Sequence, residues 1–329
     1  MTNNVILSLN NVTTKFSTDE GDITALSGVS FDVIAGRTLG IVGESGCGKS
    51  ITAASIMNLL PQPYGKVTDG EIIFDGRDIT KLNESERCAL RGHDISMIFQ
   101  DPMTALNPVV RVGKQIEEVY ELHSDKYLDA ASRRQAALNM FKMVGISEPE
   151  KRLDVYPHEL SGGMRQRVMI AMALACEPKV LIADEPTTAL DVTIQAQILD
   201  LMKRMQKELG MAIVFITHDL GVVAEICDDV AVMYAGNVVE QGDVYQIFGK
   251  PTHPYTQGLL ASMPTVSTVP KAQLVTIEGS VPQLKDMPNG CRFVNRCPKA
   301  MEACHETNPK PALVETGHAV SCLVVEEVL

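Results

Sequence analysis

The sequence predicts an α/β fold with a largely parallel central sheet, and three observations predict it. Short apolar runs at 180–183, 212–216 and 230–233 are separated by segments of helical periodicity, an alternation typical of parallel strands covered by helices. A glycine-rich loop follows the apolar run at 39–42 and precedes an apolar helical stretch. The chain has 329 residues, of which 45% are apolar, so it can bury one large core and carry an appendage.

Composition argues against several classes of protein. The net charge of −12 disfavours a broad basic surface, and we expect no nucleic-acid partner. The N-terminus has no basic segment followed by a long apolar stretch, and no apolar run approaches the ~20 residues needed to span a bilayer. By itself the chain is therefore expected to be soluble and cytosolic.

The other elements are predicted from periodicity along the chain. Alternation between residues 5 and 33 predicts short β segments interrupted by a polar turn at 19–22. Apolar centres at 71–77 and 95–100 predict two more strands. After residue 107 the spacing becomes helical, which predicts an inserted helical subdomain. Prolines become frequent around residue 262 and predict a linker to the C-terminal segment.

The glycine-rich loop has the pattern G-x-x-x-x-G-K-S and predicts a nucleoside triphosphate site. Together with the following Ile51, its residues are Gly43, Glu44, Ser45, Gly46, Cys47, Gly48, Lys49 and Ser50. Backbone N–H groups would surround the α- and β-phosphates, the Lys49 ammonium would reach the β- and γ-phosphate oxygens, and the Ser50 hydroxyl can bind Mg²⁺. An ordinary glycine-rich turn is the alternative, which the flanking strand and helix disfavour.

Two adjacent carboxylates end the apolar strand at 180–183. Adjacent strand residues point in opposite directions, so one carboxylate can serve a metal ion while the other faces a nucleophile. We assign Asp184 to Mg²⁺, largely through water, and Glu185 to polarising the water that attacks the γ-phosphate. A capped or salt-bridged turn is the alternative, and the phosphate loop upstream favours the catalytic interpretation.

A second anion site is predicted where Ser161, Gly162 and Gly163 open an apolar helix. Unpaired N–H groups and the helix dipole both favour a phosphate at such an end. The chain thus carries two phosphate-binding ends.

Residues 5 to about 245 resemble the ATP-binding subunits of ABC transporters. The motifs occur in the order of that family, and they are the phosphate loop, Gln100 after a strand, the Leu160-Ser-Gly-Gly-Met signature, Asp184-Glu185, Ala189-Leu190-Asp191 and His218 after a strand. The resemblance implies a P-loop NTPase (RecA-like) ABC ATPase core with an antiparallel β subdomain, a helical subdomain and a C-terminal cysteine-rich metal-binding extension.

Domain boundaries follow from the same resemblance. We place the ATPase core with its β subdomain at 1–100 and 159–250. The helical subdomain that contacts a permease is placed at 101–158. An extension of the oligopeptide-transporter type, with a four-cysteine cluster, is placed at 251–329.

The resemblance also implies roles for single residues. It implies a head-to-tail dimer in which each ATP lies between the phosphate loop of one subunit and the Ser161 signature of the other. Gln100 would touch Mg²⁺ and the attacking water, His218 would contact the γ-phosphate, and Asp191 would reach across the dimer. Phe16 lies about where the family stacks an aromatic ring on adenine, and a core phenylalanine is the alternative there.

Three features narrow the resemblance to the dipeptide/oligopeptide/nickel importer branch: the segment 100–108, Met164 in the signature, and His253-Pro254-Tyr255-Thr256. The last could instead be a structural turn. The branch implies ATP-driven import of a small solute, above all di- or oligopeptides, at the cytoplasmic face of the membrane. The implied partners are a second ATPase subunit, expected to be a non-identical sibling, two permeases and an extracytoplasmic binding protein. Nickel chelates and oligosaccharides remain open as substrates.

Four cysteines of the tail have the spacing C-x5-C-x6-C-x17-C: Cys291, Cys297, Cys304 and Cys322. Thiolates in a turn-rich segment suit a tetrahedral metal centre. The resemblance implies a four-iron four-sulfur (4Fe-4S) cluster, structural or redox-sensing; zinc, or unliganded or disulfide-paired thiols, are the alternatives. His305 and His318 are alternate ligands, although lone histidines in such places are more often solvated.

Two other functions are weighed against transport. Soluble ABC proteins of translation or DNA repair usually carry two cassettes or a long coiled-coil insertion, whereas this chain has one cassette and a short insertion. A redox-sensing regulatory ATPase that is not tied to transport would make hydrolysis depend on the oxidation state of the cysteine tail.

Overall fold

The computed structural model describes residues 4–101, 105–188, 190–263 and 276–326. Its strands are β1 Val5–Thr18, β2 Gly21–Ile34, β3 Thr38–Val42, β4 Gly65–Phe74, β5 Arg77–Asp78, β6 Ile95–Ile98, β7 Val180–Asp184, β8 Ala212–Thr217, β9 Asp229–Tyr234, β10 Asn237–Asp243, β11 Ala312–Glu315 and β12 His318–Val320.

Its α-helices are α1 Lys49–Ile56, α2 Glu84–Leu90, α3 Val112–His123, α4 Ala130–Met143, α5 Pro149–Arg152, α6 Gly162–Leu174, α7 Val192–Leu209, α8 Leu220–Ile226, α9 Val244–Gly249, α10 Pro254–Ala261, α11 Ala303–Glu306 and α12 Leu323–Glu326. None of the helices in the described part of the chain combines the length and the apolar character needed to cross a membrane. The predicted linker prolines Pro264 and Pro270 lie outside the described residues.

The chain divides into two compact units. The first comprises the described residues up to Ile6 together with 33–37 and 81–215, and the second comprises 7–32, 38–80 and the residues from 216 onward. The subdomain boundaries inferred from the sequence stay predictions.

The first unit is built on parallel strands and helices. Its strands run in the order β8-β7-β6, and β6 lies parallel to β7 with Ile95 beside Val180 and Ile98 beside Ala183. All five residues of β7 are buried, as expected for a strand covered on both faces. The predicted inserted helices are present as α3 and α4, which pack against each other and against α6. The two carboxylates Asp184 and Glu185 therefore lie at the carboxyl end of a fully buried strand.

The second unit contains an antiparallel sheet in the order β2-β1-β4-β5, with Phe16 of β1 beside Gly65 of β4. The predicted short β segments between 5 and 33 are in fact two strands of 14 residues each, joined at the polar turn. The prediction was wrong in length because exposed polar positions within a long strand interrupt its apolar alternation without interrupting its hydrogen bonding.

The second unit also holds β11-β12-β10-β9-β3 as neighbours in a sheet. Strand β3 is parallel to β9, while β10 is antiparallel to both β9 and β12. The tail, predicted to be rich in turns, therefore contributes two strands to this sheet. These strands have only four and three residues, too few for a periodic signal.

Candidate nucleotide-binding and hydrolysis site

The phosphate loop of the second unit joins β3 to α1, as predicted. Gly43 adopts φ +151°, and a Cβ atom there would lie 2.2 Å from the carbonyl oxygen of Met233, so only glycine fits. Gly48 precedes α1, and no side chain of the described residues caps this helix. The N-terminal N–H groups of α1 are thus directed at the place where an anion would bind.

Lys49 is held inside the loop. Its side chain is buried, and its ammonium donates hydrogen bonds to the carbonyl oxygens of Gly43 at 2.8 Å and Glu44 at 3.1 Å. Ser45, Gly46 and Ser50 are exposed, Ile51 is half-buried and Cys47 is buried. Burial raises the pKa of the Cys47 thiol, so this side chain packs as a neutral group.

Two residues of the C-terminal extension contact the loop at Glu44, and neither was predicted as a site residue. The Glu44 N–H donates to the Tyr255 hydroxyl at 2.9 Å. The Arg296 guanidinium donates to both carboxylate oxygens of Glu44, at 2.6 and 3.0 Å. Tyr255 belongs to a motif that the sequence singled out, but nothing local marks Arg296, which is 252 positions from Glu44 in the chain.

Phe16 and His218, two further residues of the second unit that were predicted to contact ATP, lie at or near strand ends. Phe16 is half-buried, and its Cε1 lies 2.8 Å from the position a Cβ atom of Gly65 would occupy. His218 follows β8 and is exposed, immediately before Asp219, which caps α8. Their roles toward adenine and the γ-phosphate stay predictions.

In the first unit, Glu185 lies just beyond the end of β7 with φ +48°, a left-handed conformation uncommon for a side chain other than glycine. Its carboxylate oxygen Oε2 accepts hydrogen bonds from the Gln100 amide at 3.1 Å and from the Thr188 hydroxyl at 2.9 Å. The fold therefore brings Gln100 to the candidate base, and its predicted contacts with Mg²⁺ and the attacking water stay predictions. Thr188 was not predicted, although its hydroxyl three residues after Glu185 was a usable signal.

Asp184 precedes Glu185 and differs from it in exposure. Asp184 is the last residue of β7 and is buried, whereas Glu185 lies beyond the strand and is half-buried. The predicted magnesium ligands are a buried carboxylate, an amide and an exposed hydroxyl, and such oxygen donors are the ones that Mg²⁺ prefers.

The signature lies against the start of α7. Ser161 caps α6, its hydroxyl accepting from the Met164 N–H at 3.4 Å, and Asp191 caps α7, accepting from the Ile194 N–H at 2.9 Å. A Cβ atom on Gly163 would lie 2.9 Å from Cγ2 of Ile194, so the two helix ends are in close contact. The structure therefore gathers Ser161, Gly162, Gly163 and Asp191, with Ser161, Gly162 and Asp191 exposed.

Of the four tail cysteines, Cys304 and Cys322 are buried, whereas Cys291 and Cys297 are half-buried. The Cys291 N–H donates to the Cys304 carbonyl at 2.8 Å. Burial raises the pKa of Cys291 to about 11, and the thiolates of Cys304, Cys297 and Cys322 contribute to that rise, so the four lie near one another. Within the described residues, no group of three or more histidine, cysteine or acidic side chains is arranged to hold a metal ion.

The two alternate histidines differ. His305 is exposed, as expected. His318 is buried, and its Nε2 lies 2.8 Å from the Glu240 carboxylate, so the expectation of a solvated side chain was wrong there. The sequence could not show this contact, because Glu240 is 78 positions away and belongs to β10.

Comparison with known proteins agrees with these observations. Residues 26–188 match the family model described as ABC transporter, and residues 239–304 match that of the oligopeptide/dipeptide transporter C-terminal region. The chain is 51% identical to the dipeptide transport ATP-binding protein DppD of Bacillus subtilis, over 98% of this chain and 95% of that protein. It is 53% identical to the oligopeptide transport ATP-binding protein OppD of Bacillus subtilis, over 96% and 87% respectively.

A solved structure is also similar. It is the dimeric ATP-binding cassette MJ0796 in a post-hydrolysis state bound to ADP and Pi, which is 31% identical and has a TM-score of 0.65. The match covers 72% of this chain and 98% of that one.

Proposed function

The chain belongs to the family of ABC transporter ATP-binding proteins, and we propose that this ATPase powers the import of di- or oligopeptides. The observation that carries the hydrolytic part is the group formed by Glu185, Gln100 and Thr188 at the end of β7. The names of relatives about 50% identical over nearly the whole chain support the transport part. Those names offer no support for the redox-regulatory alternative.

Each unit supplies part of the chemistry. Lys49 and the N–H groups that open α1 bind the phosphates, and Lys49 places a positive charge on the β- and γ-phosphate oxygens. Ser50, Gln100 and Asp184 would hold Mg²⁺, which neutralises charge that develops on the transferred phosphoryl group.

In hydrolysis, Glu185 accepts a proton from the attacking water, while Gln100 and Thr188 orient its carboxylate. His218 contacts the γ-phosphate. The exposed end of α6 at Ser161 binds the γ-phosphate of the ATP that is held by the phosphate loop of a partner subunit. Asp191 reaches across the same interface. Hydrolysis therefore requires two ATPase subunits.

The transport proposal specifies the partners. The chain would act at the cytoplasmic face of the membrane with a sibling ATPase, two permeases and an extracytoplasmic peptide-binding protein. The test is to extract the tagged chain gently from native membranes, identify its companions by mass spectrometry, and measure ATP hydrolysis with and without peptide-loaded binding protein. Two multi-span permeases and peptide-stimulated hydrolysis are expected. Recovery alone, or with ribosomes or DNA, would contradict transport and leave the ATPase intact.

A 4Fe-4S cluster held by Cys291, Cys297, Cys304 and Cys322 is the finer part of this proposal. Besides burial, the thiolates of the other three cysteines raise the pKa of Cys291, and those of Cys322 and Cys304 raise the pKa of Cys297, which supports the neighbouring sulfurs that a cluster needs. Anaerobic purification should yield about four iron and four sulfide per chain. Stoichiometric zinc without sulfide would contradict it, and hydrolysis that changes with oxidation state would favour a regulatory role for the tail.

A further inference from the structure

The phosphate loop carries a negative side chain of its own. Glu44 is the second residue of the loop, and its carboxylate has the same sign of charge as the phosphates that the neighbouring N–H groups bind. An uncompensated carboxylate at this place would oppose binding of a triphosphate. Whatever neutralises Glu44 therefore affects the affinity of the loop for ATP.

Arg296 neutralises it from the C-terminal extension. Its two terminal nitrogens bond the two carboxylate oxygens at 2.6 and 3.0 Å, the bidentate geometry in which an arginine–carboxylate pair is strongest. The side chain of Arg296 is 5% exposed and that of Glu44 is 31% exposed. The pair is therefore screened by water far less than a surface pair, and breaking it leaves a charge without its partner.

The guanidinium is itself held in place by backbone. Its Nε donates to the Glu278 carbonyl at 2.9 Å, and Nη2 also lies within 3.3 Å of the carbonyl oxygens of Ile277 and Gly279. These bonds set the direction of the arginine independently of Glu44. Arg296 therefore orients the Glu44 carboxylate. The backbone N–H of Glu44 is held separately by its hydrogen bond to the Tyr255 hydroxyl.

A second contact of the same segment reaches the far end of the loop. Arg292 donates to the Ala235 carbonyl, next to Gly236, whose N–H donates to the Cys47 carbonyl at 2.7 Å. Gly236 adopts φ +82°, and a Cβ atom there would lie 2.0 Å from the Ala25 carbonyl oxygen, so only glycine fits at this contact. Phe293, between the two arginines, is buried against Tyr234 and Tyr255 with ring centroids 5.0 and 5.3 Å away.

We propose that Arg296 is a positioning residue for the phosphate loop, and that through it the segment between Cys291 and Cys297 sets the affinity of the chain for MgATP. In this proposal Arg296 contacts neither the nucleotide nor the water that attacks the γ-phosphate. It acts by cancelling the charge of Glu44 and holding the loop in its binding conformation. The proposal concerns these side chains and does not depend on what the thiols bind.

The test is a double-mutant cycle on MgATP affinity, measured by fluorescence competition with the purified full-length chain. Arg296→Gln leaves Glu44 charged and unpaired, so we expect binding to weaken about tenfold, the equivalent of about 1.4 kcal/mol. Glu44→Gln removes the negative charge next to the phosphates and leaves the Arg296 guanidinium with its backbone carbonyl partners, so it should weaken binding less. In the double variant Glu44→Gln/Arg296→Gln, affinity should recover to within about threefold of wild type, because no unpaired charge remains. Arg296→Lys, which cannot bond both oxygens, should fall in between.

Glu315→Gln is the matched control, because it neutralises a carboxylate of the same extension whose ion pairs are with Lys250 and His318. It should leave MgATP affinity unchanged. A merely structural role for Arg296 predicts that the double variant binds as weakly as Arg296→Gln, and that result would overturn the proposal. Wild-type affinity in Arg296→Gln would overturn it as well.

If Arg296→Gln does not fold, hydrogen exchange of Glu44→Gln decides the question. We expect faster exchange at the amides of 43–50 than in wild type or in Glu315→Gln, with unchanged exchange in β7. Equal exchange at the loop in all three proteins would refute the positioning role.

Discussion

Replacing Thr188 by valine tests whether the Glu185 carboxylate has to be oriented for hydrolysis. The substitution keeps the shape of the side chain and removes the hydroxyl that donates to Glu185 Oε2 at 2.9 Å. Only the Gln100 amide, at 3.1 Å, then remains of the two donors described above. We expect the carboxylate to sample more orientations, so that it faces the attacking water for a smaller fraction of the time.

The size of the effect follows from the kind of bond. A hydrogen bond to a charged acceptor contributes about 1.5–3 kcal/mol, and because Thr188 is exposed, water replaces part of it. A loss of about 1.4 kcal/mol lowers kcat about tenfold. The KM for ATP should change little, because the hydrogen bond that is removed is to the Glu185 carboxylate and not to the nucleotide.

The assay is phosphate release by the assembled transporter at saturating MgATP. Thr188→Ser is the matched control, because it keeps the hydroxyl, and its kcat should stay within about twofold of wild type. Equal turnover of Thr188→Val and Thr188→Ser, with equal melting temperatures, would refute the reasoning that this hydroxyl orients the base.

Three further predictions follow from the same geometry. Glu185→Gln removes the base and should lower turnover by about 10²–10⁴-fold while an ATP-bound dimer accumulates in size-exclusion chromatography; turnover near wild type would reject the assignment of Glu185. Ser161→Ala removes a helix cap whose hydrogen bond is long, at 3.4 Å, so it should lower the unfolding free energy by at most about 1 kcal/mol. It should nevertheless weaken ATP-dependent dimerisation, and unchanged dimerisation would count against a role of Ser161 across the interface. Burial lowers the pKa of His253 to about 3. Between that value and the ordinary pKa of about 6.5, only the unfolded chain binds a proton at this histidine. The unfolding free energy should therefore fall by up to about 1.4 kcal/mol per pH unit on acidification toward pH 3. In His253→Asn, which can still cap α10, the unfolding free energy should depend less steeply on pH in denaturation series between pH 7 and 4. Identical slopes in the two proteins would contradict the lowered pKa of His253.

The tail shows where sequence reasoning was right and where it failed. The His253-Pro254-Tyr255 motif was interpreted as a mark of a family branch, with a structural turn as the alternative, and the match of residues 239–304 to the C-terminal family model confirms the branch. In the structure the motif opens α10, with His253 Nδ1 accepting from the Tyr255 N–H at 3.0 Å. What the motif does for the loop was not predictable, because the partner of the Tyr255 hydroxyl is 211 positions away. Strands β11 and β12 were missed for a similar reason, since the pairing of β12 with β10 and of β11 with β12, and not their own periodicity, makes them strands.

By itself, the sequence determined the elements whose cause lies within a few residues. The phosphate loop is specified by glycines that allow an otherwise strained backbone, strand β7 by an unbroken apolar run, and the starts of α6 and α7 by the capping side chains of Ser161 and Asp191. Family order then assigned their roles.

Only the tertiary structure decided which distant side chains meet. Nothing near Arg296 in the sequence marks it as the partner of Glu44, and nothing near His318 marks it as the partner of Glu240. The physical reason is that burial of apolar surface drives the chain together without directional preference, whereas an ion pair or hydrogen bond needs a particular distance and angle. The packing of Phe293 against Tyr234 and Tyr255 supplies that geometry for Arg296, and it exists only once the whole unit has folded.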